Sequence, residues 1–121
     1  MSKPKMFLLT IVNRVIKKFV DLGPEGWAKK VDAVDKEGNY VSVLSKEACK
    51  FCNEGVVMCV LGTNNNNNSR VREVDIAFRI INNNPMIYIN DEKTRTLGEN
   101  LDYWFKLRSA IKDGKVENKK I

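Results

Sequence analysis

Apolar side chains recur every three or four residues from Met6 to Leu22. Phe7, Ile11, Val15 and Phe19 form one row; Leu8, Val12, Ile16 and Val20 form a second beside it. Two adjacent rows make a wide apolar face with Arg14, Lys17 and Lys18 outside it, which predicts an amphipathic helix. Gly23-Pro24 stops it. From Gly26 to Val43 the pattern turns to alternation. Trp27, Val31 and Ala33 predict one strand of a β-hairpin and Tyr40, Val41 and Val43 the other, joined by the polar turn Asp35–Asn39. Ser45 reads as an N-cap, with Glu47 in the first turn of a helix running through Ala48, Cys49, Phe51, Cys52, Val56, Met58 and Leu61 to Gly62. After Gly55 that helix is apolar almost all round, the mark of a central, buried element.

Thr63–Asn68 contains five consecutive asparagines, which favour loop conformations and carry no apolar face. Ser69–Ile81 is a second amphipathic helix, with Val71, Val74, Phe78 and Ile81 on one stripe. Met86–Ile89 is a short, strand-like apolar run, and Asn90-Asp91 opens a polar turn. Thr96 with Glu99 fits a capping box for a last helix carrying Leu97, Leu101, Trp104, Phe105 and Ile111. The predicted fold class is α+β: about four helices around a buried central helix, with a small antiparallel β-hairpin. With no repeat and no linker, residues 1–121 are expected to form a single domain, 63–68 an Asn-rich surface loop and 113–121 a frayed basic tail.

Composition supports a core, since 43% of the 121 residues are apolar. It excludes a membrane span: the longest apolar block, Met6–Val12, is broken by Thr10 and falls far short of ~20 residues. That block runs into Lys17-Lys18 rather than a small-residue cleavage site, so a secretory signal is not expected. Three cysteines, an odd number within one predicted helix, point to a reducing compartment, and the cytoplasm is the expected location. The net charge of +6 gathers at the ends, on Lys3, Lys5, Arg14, Lys17 and Lys18 and on the tail lysines Lys115, Lys119 and Lys120. Such a distribution gives a solvated face, or attraction to an acidic partner or nucleic acid.

The chain contains no histidine, which removes Ser-His-Asp and Cys-His catalysis and His-ligated zinc. Neither GxxxxGK[ST] nor GxGxxG is present. Cys49-Lys-Phe-Cys52 has CxxC spacing, but a redox cysteine belongs at a helix start, and the predicted helix starts at Ser45. The three cysteines therefore read first as small buried hydrophobes. Three thiolates without a fourth ligand make a poor zinc site, and no metal or cofactor is expected. Trp27 is either a core residue with its N–H bonded to a carbonyl, or an exposed stacking platform. Asn90, Asp91, Thr94, Arg95 and Thr96 are either turn chemistry or a ligand site in which Arg95 and the free amides of the last helix would suit an anion. Tyr103, Trp104 and Phe105 point about 100° apart. Trp104 is expected in the core, and Tyr103 beside Arg108 at an interface.

The order Gly26-Trp27, Asp35…Gly38, Ala48-x-x-Phe51-Cys52-x-x-Gly55, Asn90-Asp91 and Thr96, ending in Ala110-Ile111, resembles a family of small uncharacterised bacterial and phage domains. Those domains have a Gly-Trp opening, an A-x-x-[WF]-C-x-x-G helix and an Asn-Asp turn before the last helix. The resemblance covers roughly residues 26–112 and rests on the order of short motifs. Val56 stands where the family favours alanine, and Leu97 where a histidine is common, so no role of that histidine carries over. The resemblance implies a shared fold and no reaction, and suggests that Trp27, Cys52, Gly55, Asn90, Asp91 and Thr96 meet in space. The expected function is a phage-type accessory protein that binds a host or phage protein without catalysis. The alternatives are nucleic-acid or nucleotide binding through Lys17, Lys18, Arg70, Arg72 and Arg95, and an enzyme using Asp91 or a cysteine.

Overall fold

In the computed structural model, which describes residues 4–121, the N-terminal apolar rows form α1 (Leu8–Leu22). Lys3, one of the terminal cations, lies outside the described residues. Leu8, Ile11, Val12, Val15, Ile16 and Phe19 are buried, while the outer members of the two rows, Phe7 and Val20, reach solvent. Gly23 stops the helix at φ +72°, a left-handed conformation that favours glycine, and its N–H donates back to the Phe19 carbonyl at 2.9 Å.

A 3-10 turn at Pro24–Gly26 leads through Trp27–Asp32 into β1 (Ala33–Val34). The predicted turn forms: Asp35 Oδ1 accepts from the amides of Glu37 (3.0 Å) and Asn39 (2.9 Å). The predicted pairing needs correction. Tyr40 makes only a single bridge with Val34, and the ladder partner of β1 is β2 (Lys50–Phe51), antiparallel, with Ala33 opposite Phe51 and Val34 opposite Lys50. That pairing also shortens the predicted central helix. Lys50 and Phe51 are extended, so α2 runs only from Asn53 to Leu61 and Cys52, not Ser45, is its N-cap. Within α2, Val56, Val57, Met58 and Leu61 are buried, and the helix packs against α1, α3 (Ser69–Asn82) and α4 (Met86–Tyr88).

The Asn-rich loop is largely exposed, and its last member, Asn68, caps α3 by accepting from the Arg70 amide at 2.9 Å. Met86–Ile89 is helical rather than strand-like. α4 runs on into a wide π-helical turn, Ile89–Lys93, whose register is set by the Thr94 amide donating to the Ile89 carbonyl at 3.1 Å. Four apolar residues carry too little periodicity to separate the two readings. α5 (Leu97–Lys112) opens on Thr96, whose hydroxyl accepts from the Glu99 amide at 3.1 Å, as the capping box requires. The Glu99 carboxylate reaches one residue further back than the motif predicts, to the Arg95 amide at 2.7 Å.

The basic tail is not frayed. Leu8 N donates to Lys119 O, Met6 and Ile121 exchange two backbone bonds, and Val116 and Ile121 are buried. Two apolar side chains five residues apart hold an otherwise charged segment against α1 and α3. The architecture is thus α+β and mostly helical, with helices around buried α2 and one antiparallel two-stranded pair. Trp104, Phe19 and Phe78 are the largest fully buried side chains; Trp104 and Phe78 meet edge-on at 4.9 Å. Each contributes roughly 1.5–3 kcal/mol of burial. No helix among the described residues is long and apolar enough to cross a membrane.

Candidate functional site

Three asparagines with no solvent exposure, Asn53, Asn90 and Asn100, sit where α2, α4 and α5 converge. Asn53 is the first residue of α2. Its Nδ2 donates to the Met86 carbonyl (2.9 Å) and to Asn100 Oδ1 (2.9 Å), and its Oδ1 accepts from Asn100 Nδ2 (2.7 Å) and Trp104 Nε1 (2.9 Å). Asn90, in the π-helical turn, accepts on Oδ1 from Trp27 Nε1 (2.7 Å) and the Asn53 amide (3.0 Å). Its Nδ2 donates to Ala28 O (2.9 Å) and Asp91 Oδ1 (2.8 Å). Both amides use their full donor and acceptor capacity. A fully satisfied buried network is stabilising and fixes a unique arrangement. This one joins Trp27, α2, the π-helical turn and α5 in a single chain of bonds.

Asp91 extends it outward. The Oδ1 atom that takes Asn90 Nδ2 also takes the Lys30 amide at 2.8 Å. Lys30 is left-handed at φ +62°, a conformation that costs a non-glycine residue about 1–2 kcal/mol. The Asp91 bond holds it there. Lys29 Nζ reaches Thr94 O at 2.6 Å, and Thr94 Oγ1 donates to Ile89 O at 2.8 Å. Asn90, Asp91, Thr94 and Thr96 are therefore engaged in holding the backbone, which is the turn-chemistry reading of this segment.

Cys52 lies beside this network. Its sulfur accepts from the Gly55 amide at 3.3 Å, capping α2, while its S–H donates to Asp32 Oδ1 at 3.6 Å. The fit is close: a Cβ on Gly55 would lie 1.9 Å from the Asp32 carbonyl oxygen. A thiol at a helix start is normally made more acidic by the amides there. Here burial dominates and, with the charges of Asp32, Glu54 and Asp91, pushes the Cys52 thiol up to about 12 against the Gly55 hydrogen bond. The thiol stays protonated and does not act as a nucleophile near neutral pH. Neighbouring Glu54 is pushed up to about 7, first by burial, then by the charge of Asp32 and a hydrogen bond to it; a hydrogen bond from Asn66 works the other way. All three cysteines are free thiols, and among the described residues no group of three or more Cys, Asp or Glu side chains is placed to hold a metal ion.

Trp27, Asn90, Asp91, Cys52 and Gly55 do come together: Trp27 bonds Asn90, Asn90 bonds Asp91, and the Asp91 charge acts on the Cys52 thiol. Thr96 caps α5 instead. Trp27 bonds a side-chain oxygen rather than a carbonyl of the backbone, and Lys29 lies over its ring at 5.4 Å. Thr94, Arg95 and Tyr103 line one cleft of about 380 Å³ along the outer side of α5. Arg108 is not beside Tyr103 but over the Phe105 ring at 5.1 Å, and it is Lys106 that covers Tyr103, at 4.9 Å. The basic residues do not form one stripe. Lys17 pairs with Asp21 (2.8 Å), Lys18 lies over Phe51 (4.7 Å), and Arg70 donates to Pro4 O (3.0 Å) and Ile121 O (3.4 Å).

Asn53 and Asn100 were not among the residues predicted from sequence. The signal was present: Asn100 falls on the apolar stripe Leu97, Leu101, Trp104, and a polar residue on a buried stripe demands a buried partner. A third feature, also missed, is an exposed apolar row on α3. Ile76 and Ile80, one turn apart, are 49% and 60% exposed. They border a groove of about 170 Å³ with Leu8, Ala77 and Val116, rimmed by Glu117 and the Glu73–Lys119 ion pair. Compared with family models, with curated proteins and with solved structures, the chain matches none.

Proposed function

We propose that this chain is a small accessory protein that works by binding a partner protein and carries out no catalysis. The observation that supports this best is the α3 row. Two isoleucines at i and i+4 expose about half of their surface beside an apolar groove, at a cost that burial against a partner would recover. An apolar centre with a charged rim is the usual anatomy of a protein interface. The partner would present an apolar side chain to the groove. The other candidates fit less well. The Asn90–Thr96 segment is occupied by scaffold bonds, Cys52 is a protonated cap, and the cations that nucleic-acid binding would use are spread over several faces, with Lys17 paired to Asp21 and Arg70 bonded to backbone carbonyls. The phage or bacterial setting and the cytoplasmic location belong to the same proposal and rest on the sequence resemblance and the free cysteines.

The test compares the wild type with Ile80→Asp, checked for an unchanged circular dichroism spectrum, in cross-linked capture from the source cells. A partner captured by the wild type and by Lys17→Glu, but lost with Ile80→Asp, supports the reading. Capture that ignores Ile80→Asp, or binding to heparin that collapses with salt, overturns it in favour of nucleic acid.

A further inference from the structure

We propose that the outer face of α5 binds the same face of a second copy, antiparallel, about a two-fold axis passing beside Trp104. Glu99, Asp102, Lys106, Ser109 and Asp113 are all exposed. Their spacing of three, four, three and four averages 3.5 residues, which keeps them in one straight seam along the helix. Arg95 precedes the extended Thr96 cap and so lies off the helix, but it borders the same cleft as Glu99, Asp102 and Lys106 at that end of the seam. The surface relief agrees: Arg95 and Glu99 border the cleft of about 380 Å³, Ser109 and Asp113 border a groove of about 560 Å³, and Asp102 and Lys106 border both.

The order of charge along the seam is plus, minus, minus, plus, neutral, minus. Antiparallel pairing about Trp104 sets Arg95 against Asp113, Glu99 against Ser109, and Asp102 against Lys106. The two-fold axis repeats each contact, so four opposite-sign pairs form and no like-sign pair does. Shifting the register one step either way places Asp102 against Asp102, or Lys106 against Lys106 with Glu99 against Asp113. A parallel arrangement places every charge against its like. Among two-fold alignments that overlap four or more of the six positions, only this one is free of repulsion, and it is self-complementary, as a two-fold interface requires. Partly buried Tyr103 and Phe105 flank the seam on either side, and Lys106 and Arg108 already lie over their rings. Trp104 and Leu107 anchor the helix from within, so the face is presented in a fixed geometry. The α3 row shares no residue with this seam, so the dimer and the partner-binding reading stand or fall separately.

Exposed ion pairs are weak and screened by salt, so the dimer is expected to be concentration-dependent. Sedimentation equilibrium of the full chain at about 20 and 500 mM salt should show association weakening roughly tenfold or more across that range. Lys106→Asp opposes Asp102 of the other copy and should abolish the dimer. Adding Asp102→Lys exchanges the charges and should restore it. Arg95→Glu, rescued by Asp113→Arg, tests the outer pair independently. A chain that stays monomeric at high concentration and low salt, or exchanges that fail to restore association, overturns the proposal.

Discussion

Replacing Asn53 with alanine should destabilise the chain out of proportion to the atoms removed. The side chain holds four hydrogen bonds, to the Met86 carbonyl, to both ends of the Asn100 amide and to Trp104 Nε1, and none of these groups except the Asn53–Asn100 pair has a second partner from the same side chain. Asn53, Asn100 and Trp104 have no exposure, so bulk water does not replace the lost bonds. A buried group left unsatisfied costs about 1–3 kcal/mol. Three groups lose partners, and a water entering the new space would recover part of the loss, so about 3–5 kcal/mol is expected. That is a large share of the ~5–15 kcal/mol that holds a typical domain folded. Urea unfolding followed by tryptophan fluorescence measures it, since both tryptophans of the chain belong to the network. Asn53→Leu with Asn100→Leu removes both halves of the amide pair, and should cost less than the sum of the single changes. A loss below about 1 kcal/mol for Asn53→Ala would refute the reasoning, because it would mean the network is not dry.

Three further outcomes are expected. The folded Glu54 carboxyl keeps its proton up to about 7 while an unfolded glutamate releases it near 4.5, so the folded chain binds more protons in that window and stability should fall as pH rises through it. Glu54→Gln should flatten the slope in pH-dependent urea unfolding; an unchanged slope assigns it elsewhere. Cys52, with its thiol near 12, should resist alkylation at pH 8 in the native protein and react on unfolding, read by mass spectrometry of the labelled peptides; rapid native labelling would contradict its role as a cap. Gly55→Ala should cost more than about 3 kcal/mol or prevent folding, because the added carbon meets backbone rather than a movable side chain; a thermal midpoint near that of the wild type would show that the backbone at Asp32 can retreat.

Where the sequence carried two independent signals, the elements were legible. α1 combined a two-row apolar face with Gly-Pro, and α5 combined an apolar stripe with the Thr96–Glu99 cap. The start of α2 carried only one. A helix that is apolar all round has no phase, so periodicity does not locate its end, and the cap preference pointed to Ser45. The true cap is a cysteine, outside the usual set, and it is selected by a tertiary event: Lys50-Phe51 pairs with Ala33-Val34 and holds the chain extended up to Cys52. The same pairing separated β1 from its expected partner at Tyr40. The tail misled for the opposite reason. Its charges were conspicuous, and its two anchors, Val116 and Ile121, were too few to form a pattern.

Of the three cysteines expected in the core, only Cys52 is buried; Cys49 and Cys59 are partly exposed. The sequence pattern places Cys49 and Cys52 inside a helix, away from the start where a thiolate is stabilised. The structure places Cys52 at the helix start, the position where a thiolate is most stabilised. It is inert all the same, because α2 begins in the interior. Burial is the largest influence on the thiol, and Asp32, brought within hydrogen-bond reach of the sulfur by the missing side chain of Gly55, adds to it. A helix start favours a thiolate only while it faces water or a cation; this one is buried beside the carboxyl groups of Asp32 and Glu54. The three carboxyl residues, Asp32, Glu54 and Asp91, are far apart in sequence, so no local motif announces them. The quantity that decides the chemistry of Cys52 is therefore long-range packing, and it becomes readable only once the 27–32 segment is seen laid across α2 and fastened to Asn90 and Asp91.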